Sequence, residues 1–124
     1  MIPYRLTLEE RPTYLHARVE GARTPENTLR FLREVYAAGV QRGRRDVLLE
    51  IRFAGPSLEI SDIFHVISQA SEDGAKLGRI AYVDATASDP ARAQFAETVA
   101  INRAVRVRLF AEFAGAVRWL ESGD

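Results

Sequence analysis

Val47-Leu48-Leu49-Glu50-Ile51 decides how the rest of the chain is read. The run is too short for a core helix and too continuously apolar for a strand with one wet face. It therefore reads as an inner strand covered on both sides, of the kind that parallel sheets use. Moving toward the C-terminus, Ile63, Phe64, Ile67 and Ala70 recur at helical spacing, with a start at Ser61-Asp62 or a turn earlier near Ser57. Ile80-Ala81-Tyr82-Val83 is a second inner strand. Asp89-Pro90 then opens a helix through Phe95 and Val99, because Asp caps free N–H groups and Pro fits the first helical position. Val105 to Phe110 is a short strand, and Phe113, Val117 and Leu120 mark a last helix with Trp119 beside its stripe.

Toward the N-terminus, Thr24-Pro25 repeats the cap-then-proline signature. Leu29, Leu32, Tyr36 and Val40 supply the helical stripe, and Gly43 the stop. Before that helix, Tyr4, Leu6 and Leu8 alternate with Arg5, Thr7 and Glu9. Leu15, Ala17 and Val19 alternate with Tyr14, His16, Arg18 and Glu20, and Glu10-Arg11-Pro12 breaks the two segments apart into a hairpin ended by Gly21. The order is ββαβαβαβα, an α/β domain. Its expected form is a five-stranded mixed sheet with four principal helices, the hairpin forming the antiparallel part. Leu15, Val19, Leu49, Ile51, Ile80, Val83, Phe95, Val99, Phe113 and Val117 are the expected core. Asn102 falls on the inward stripe of the third helix, so its amide is expected to be partly buried and bonded.

The 124 residues suit a single domain spanning 1–124, without repeats or linkers. Lys+Arg and Asp+Glu both number 17, which argues against electrostatic capture of nucleic acid or an anionic membrane. Almost all the basic residues are Arg, Lys76 being the only lysine. With no Cys, disulfides and thiolate chemistry are excluded. Apolar runs are too short to span a membrane, and Met1-Ile2-Pro3-Tyr4-Arg5 does not resemble a signal peptide, so a cytoplasmic location is expected.

Several stretches resemble the SpoIIAA-like group of the STAS superfamily. They are Tyr14-Leu15-His16 through Gly21, Val47-Leu48-Leu49-Glu50, and Arg79-Ile80-Ala81-Tyr82-Val83-Asp84. The tail adds Asn102-Arg103-Ala104, Val105 to Phe110, and Ala116-Val117-Arg118-Trp119-Leu120. Family members tend to carry Asn-Arg-Gly where this chain has Ala104, which removes backbone freedom there. The resemblance implies partner recognition, in some members switched by phosphorylation of a Ser after the central strand. Here that region reads Phe53-Ala54-Gly55-Pro56-Ser57-Leu58-Glu59-Ile60-Ser61-Asp62, which lacks the usual Asp-Ser-Ser-Gly kind of motif. Ser57 and Ser61 are its only hydroxyls, and Ser61 reads as a helix N-cap.

No catalytic motif stands out: there is no Gly-x-Ser-x-Gly, no phosphate loop and no dinucleotide fingerprint. His16 and His65 read as surface or partly packed histidines with no motif to supply a partner, and no metal set is expected. The candidate surface is Phe53, Gly55, Ser57, Leu58, Ile60 and Ser61, together with Glu50 and Asp84 at the C-terminal ends of the inner strands. Arg52 is an expected partner for such a carboxylate. Arg103, Arg106 and Arg108 form a candidate anion contact, and Arg42, Arg44 and Arg45 a basic knot after the first helix. The reading is a non-enzymatic binding module without a cofactor, recognising a protein partner. The alternative is a small apolar or lipid-like ligand, an idea the aromatics Phe53, Phe64, Phe95 and Phe110 also suggest although each sits at core spacing, and a third reading is an enzyme of unassigned class. A homodimer is compatible with each.

Overall fold

A computed structural model describes residues 4–43, 46–84 and 89–122. The elements run β1 (Tyr4–Glu10), β2 (Leu15–Ala22), α1 (Pro25–Gln41), β3 (Val47–Ala54), α2 (Ile60–Gly74), β4 (Arg79–Asp84), α3 (Pro90–Ile101), β5 (Arg106–Phe110) and α4 (Phe113–Glu121). All five strands form one sheet in sequential order, β1-β2-β3-β4-β5. The β1–β2 pair is antiparallel and the other three pairs are parallel, as the hairpin and the apolar inner strands require.

Parallel strands that advance one place at a time, joined by right-handed crossovers, put every connecting helix on the same face. The packing agrees. Phe31, Leu32 and Val35 of α1, Val66 and Ala70 of α2 and Ala100 of α3 cluster with Leu15, Val19, Leu49, Ile51 and Ile80. The opposite face is covered by α4 alone, where Ala116 and Leu120 meet Tyr14, Leu48, Ala81 and Val83.

Thr24 caps α1 by accepting the Asn27 N–H at 3.1 Å, and Asp89 caps α3 by accepting from Ala91 at 3.1 Å. Gly43 follows α1 with φ 68°, the left-handed stop that glycine supplies. Helix α2 begins differently from the sequence expectation. Glu59 is its N-cap and Ser61 lies inside the first turn, because the first helical bond runs from Ile63 N–H to the Glu59 carbonyl.

The expected core is buried at Leu15, Val19, Leu49, Ile51, Ile80, Val83 and Val99. Phe95 and Val117 are half-buried. Phe113 is 40% exposed, since it opens α4 at the rim of the sheet and only Ala116 and Leu120 reach the interior. Phe64 and Val40 also face outward: the inner stripes run through Ile63, Val66 and Ala70, and through Phe31, Leu32, Val35 and Tyr36. Asn102 is exposed, contrary to the sequence expectation: it keeps the helical register, its N–H bonding to Thr98 O, but at this end of α3 only Val99 and Ala100 are buried.

That turn is closed by Val105 N–H bonding to Ala100 O and Ala104 N–H to Ile101 O. This is the paired bonding of a Schellman motif, whose left-handed position is usually glycine. Ala104 occupies it at φ 67°. An alanine therefore holds a backbone conformation that glycine adopts more easily.

Candidate functional site

The C-terminal ends of β2, β3 and β4 meet at a buried ion pair. Arg23, the first residue after β2, donates from Nη1 to Asp84 Oδ2 at 3.0 Å and from Nη2 to Asp84 Oδ1 at 3.3 Å. Nη2 also reaches the Phe53 carbonyl at 3.2 Å, so one guanidinium ties together the ends of three neighbouring strands. Both side chains are nearly removed from water, at 9% and 8% exposure. A fork-shaped cation suits this place because it satisfies the carboxylate bidentately and still has a donor for a strand-end carbonyl.

From the far side, Arg92 in the first turn of α3 donates from Nη1 to the Leu58 carbonyl at 2.9 Å and the Ser57 carbonyl at 3.4 Å. Its Nε lies 3.3 Å from Asp89 Oδ2. The loop after β3, which turns at Gly55 with φ 109°, is thereby latched to α3. Between Arg23, Asp84 and Arg92 lies a cleft of about 550 Å³, counted out to its open mouth and walled by Phe53, Leu58, Ile63 and Val66.

Behind it is a second, narrow space between α2, α3 and the sheet, about 440 Å³ when counted out into open solvent. It is lined almost wholly by apolar groups, among them Leu32, Ala70, Ala100, Val105 and Val107. Ile67, Tyr82 and Ala96 line both spaces, so the two adjoin across these side chains. Burial pushes the hydroxyls of Tyr36 and Tyr82 well above the usual tyrosine range. Tyr82 beside Tyr36 adds to the shift of Tyr36; for Tyr82, Asp84 raises it further and Arg23 opposes. Among the described residues nothing hydrogen-bonds either hydroxyl, and Ser71 and Glu97 add further polar side chains to the mostly apolar lining.

The other predicted site residues divide. Phe53, Ser57, Leu58 and Asp84 line the cleft, whereas Gly55, Ile60 and Ser61 lie exposed outside it. Glu50 does not join Asp84, because strand residues alternate between faces and it points toward α4. There Glu50 Oε1 is 2.8 Å from His16 Nε2, and Oε2 accepts from Arg52 Nε at 2.8 Å, the Arg52 pairing expected from sequence. Burial alone would raise the Glu50 carboxyl, but the hydrogen bonds and charges of Arg52 and His16 outweigh it and hold it below its ordinary range. His16 also packs against Phe113, with ring centroids 5.2 Å apart.

Arg103, Arg106 and Arg108 are not brought to one point: Arg103 stacks over Phe64 of α2, and Arg108 over Phe110 on the α4 side. Arg42 approaches Glu10 at 4.0 Å, while Arg44 and Arg45 lie outside the described residues. His65 is exposed and bonded to Gln69. Sequence reasoning missed Arg23, Arg92 and the two tyrosines. The one signal for the chamber was Ala93, Ala96 and Ala100 at helical spacing on α3, small residues that leave room against the sheet.

Among the described residues no helix is long and apolar enough to cross a membrane. The fold and cleft together define an α/β domain with two adjoining clefts beside its second and third helices. Compared with known proteins, the sequence matches no family model and no curated protein.

Proposed function

We propose that the chain is a binding domain for a small, mostly apolar ligand with one hydrogen-bonding end, held between α2, α3 and the sheet. The observation that carries the reading is an apolar space lying directly beside the polar strand-end cleft, with Ile67, Tyr82 and Ala96 lining both. Apolar walls with a few convergent polar groups are what small-molecule sites use to combine affinity with orientation. An uncharged polar end fits better than an anion. Arg23 and Arg92 are already engaged with Asp84, Asp89 and backbone carbonyls, and separating a buried pair is expensive. The SpoIIAA-like resemblance is part of the same proposal, supported by the element order and by the left-handed turn at Ala104.

The test is a titration of ¹⁵N-labelled protein with straight-chain alcohols of increasing length. The amides of Ile67, Tyr82 and Ala96 should shift together, more strongly as the chain lengthens. Ala96→Phe puts bulk where the two spaces adjoin and should weaken binding about tenfold or more by occluding the ligand, without unfolding the protein. Wild-type affinity in a folded Ala96→Phe variant, or shifts scattered over the surface, would refute the reading.

A second reading is a protein partner at the rim of the same cleft. Ile60 and Phe64 favour it, standing one turn apart on α2 with 45% and 48% of their surface exposed. Capture of a partner by wild type but not by a folded Leu58→Asp/Ile60→Asp variant would favour that surface over the chamber.

A further inference from the structure

The two edges of the sheet are treated differently. On β5, the Leu109 N–H is given to the Glu97 carboxylate of α3 at 2.8 Å, which occupies a backbone donor of that edge. The β1 edge has no such cover among the described residues, although exposed strand edges are templates for further pairing.

The hydrogen-bond pattern shows which groups that edge offers. Leu15 donates its N–H to Asp46 O and Arg23 donates to Ala54 O, so odd-numbered residues of β2 face β3. His16, Arg18 and Glu20 therefore turn toward β1, where their partners are Glu9, Thr7 and Arg5. The N–H and C=O groups of Leu6 and Leu8 consequently point to the open side. Both side chains are half-buried, and Arg5, Thr7 and Glu9 project on the opposite face of the strand.

We infer that β1 is the pairing edge of a homodimer, in which a second copy of this chain adds its own β1 antiparallel about a two-fold axis at Thr7. Leu6 then faces Leu8 of the second copy and the two exchange main-chain bonds, while Arg5 faces its Glu9 in the closer, non-hydrogen-bonded type of pair. Symmetry makes each contact twice. The neighbouring symmetric registers lack this match. Centring on Leu8 sets Leu6 against Glu10, and centring on Leu6 leaves Arg5 opposite Thr7. Glu9 already meets Arg11 at 2.7 Å, but that pair is about half-exposed and a carboxylate accepts more than one donor. A single added strand pair is a small interface, so the dimer forms only as concentration rises.

Sedimentation equilibrium over a wide concentration range tests this, with circular dichroism confirming that each variant is folded. Wild type should associate reversibly to a dimer. Arg5→Glu or Glu9→Arg alone sets like charges opposite each other twice, and should weaken association about tenfold or more. The double variant Arg5→Glu/Glu9→Arg should restore it. Hydrogen exchange on wild type gives an independent reading: the Leu6 and Leu8 amides should become more protected with concentration, and the Thr7 amide should not. A protein that stays monomeric, a dimer indifferent to the single charge changes, or one not rescued by the double change would overturn the pairing. Unchanged exchange at Leu6 and Leu8 would do the same if the variants did not fold.

Discussion

Replacing Ala104 by Gly should make this protein more stable although it removes atoms and adds no contact. Ala104 sits at φ 67° in the turn that ends α3, with its N–H bonded to Ile101 O and the next N–H bonded to Ala100 O. Holding an L-residue with a Cβ in that region costs about 1–2 kcal/mol, a cost glycine does not bear. Against this, glycine frees the unfolded chain by about 0.4–1 kcal/mol. Ala104 is exposed, so no buried methyl is lost. The balance is a gain of about 0.5–1 kcal/mol, or about 2–4 °C in Tm for a domain of 124 residues. Urea unfolding followed by far-UV circular dichroism reads it directly: the midpoint should rise with an unchanged slope. Ala104→Val should move the midpoint the other way, because a β-branched side chain tolerates the left-handed region less well than Ala. A midpoint for Ala104→Gly equal to or below wild type would refute the strain argument.

Asp84→Asn should cost about 3–5 kcal/mol, because it leaves the Arg23 guanidinium buried without its counter-charge. Replacing both members by apolar residues of similar size should recover most of that loss, and a double-mutant cycle from urea midpoints checks both numbers. For Glu50 the folded-state pKa lies below the unfolded one, so its contribution is present above the unfolded carboxylate range and disappears as pH falls through the folded value. The stability difference between wild type and Glu50→Gln should therefore shrink as pH falls through the carboxylate range; a difference that stayed level into the acid range would contradict the Arg52 and His16 assignment.

The element order was legible because it rests on local signals. Alternation marks the hairpin, continuous aliphatic runs mark β3 and β4, and Thr24-Pro25 and Asp89-Pro90 mark two helix starts. What escaped depends on groups far apart in the chain. Arg23 and Asp84 are joined only because β2 and β4 flank β3, and His16 finds Glu50 only through the parallel register of β2 and β3. The same limit explains the aromatic errors. Phe64 and Phe113 occupy spacings compatible with an inner stripe, yet the side of a helix that turns inward is set by its neighbours, and here smaller residues took it. A cavity is harder still to foresee, since it is made by what Ala93, Ala96 and Ala100 fail to fill.

The sequential strand order also bears on how the molecule comes into being. Each new strand is laid beside the one synthesised just before it, so the sheet can grow in step with the emerging chain and its three-helix side can close progressively. The other side cannot. Leu48, Ala81 and Val83 are all in place before residues 113–121 have left the ribosome, and α4 is their cover. A released chain truncated just before that helix would carry the sheet with one bare apolar surface, the substrate a chaperone holds.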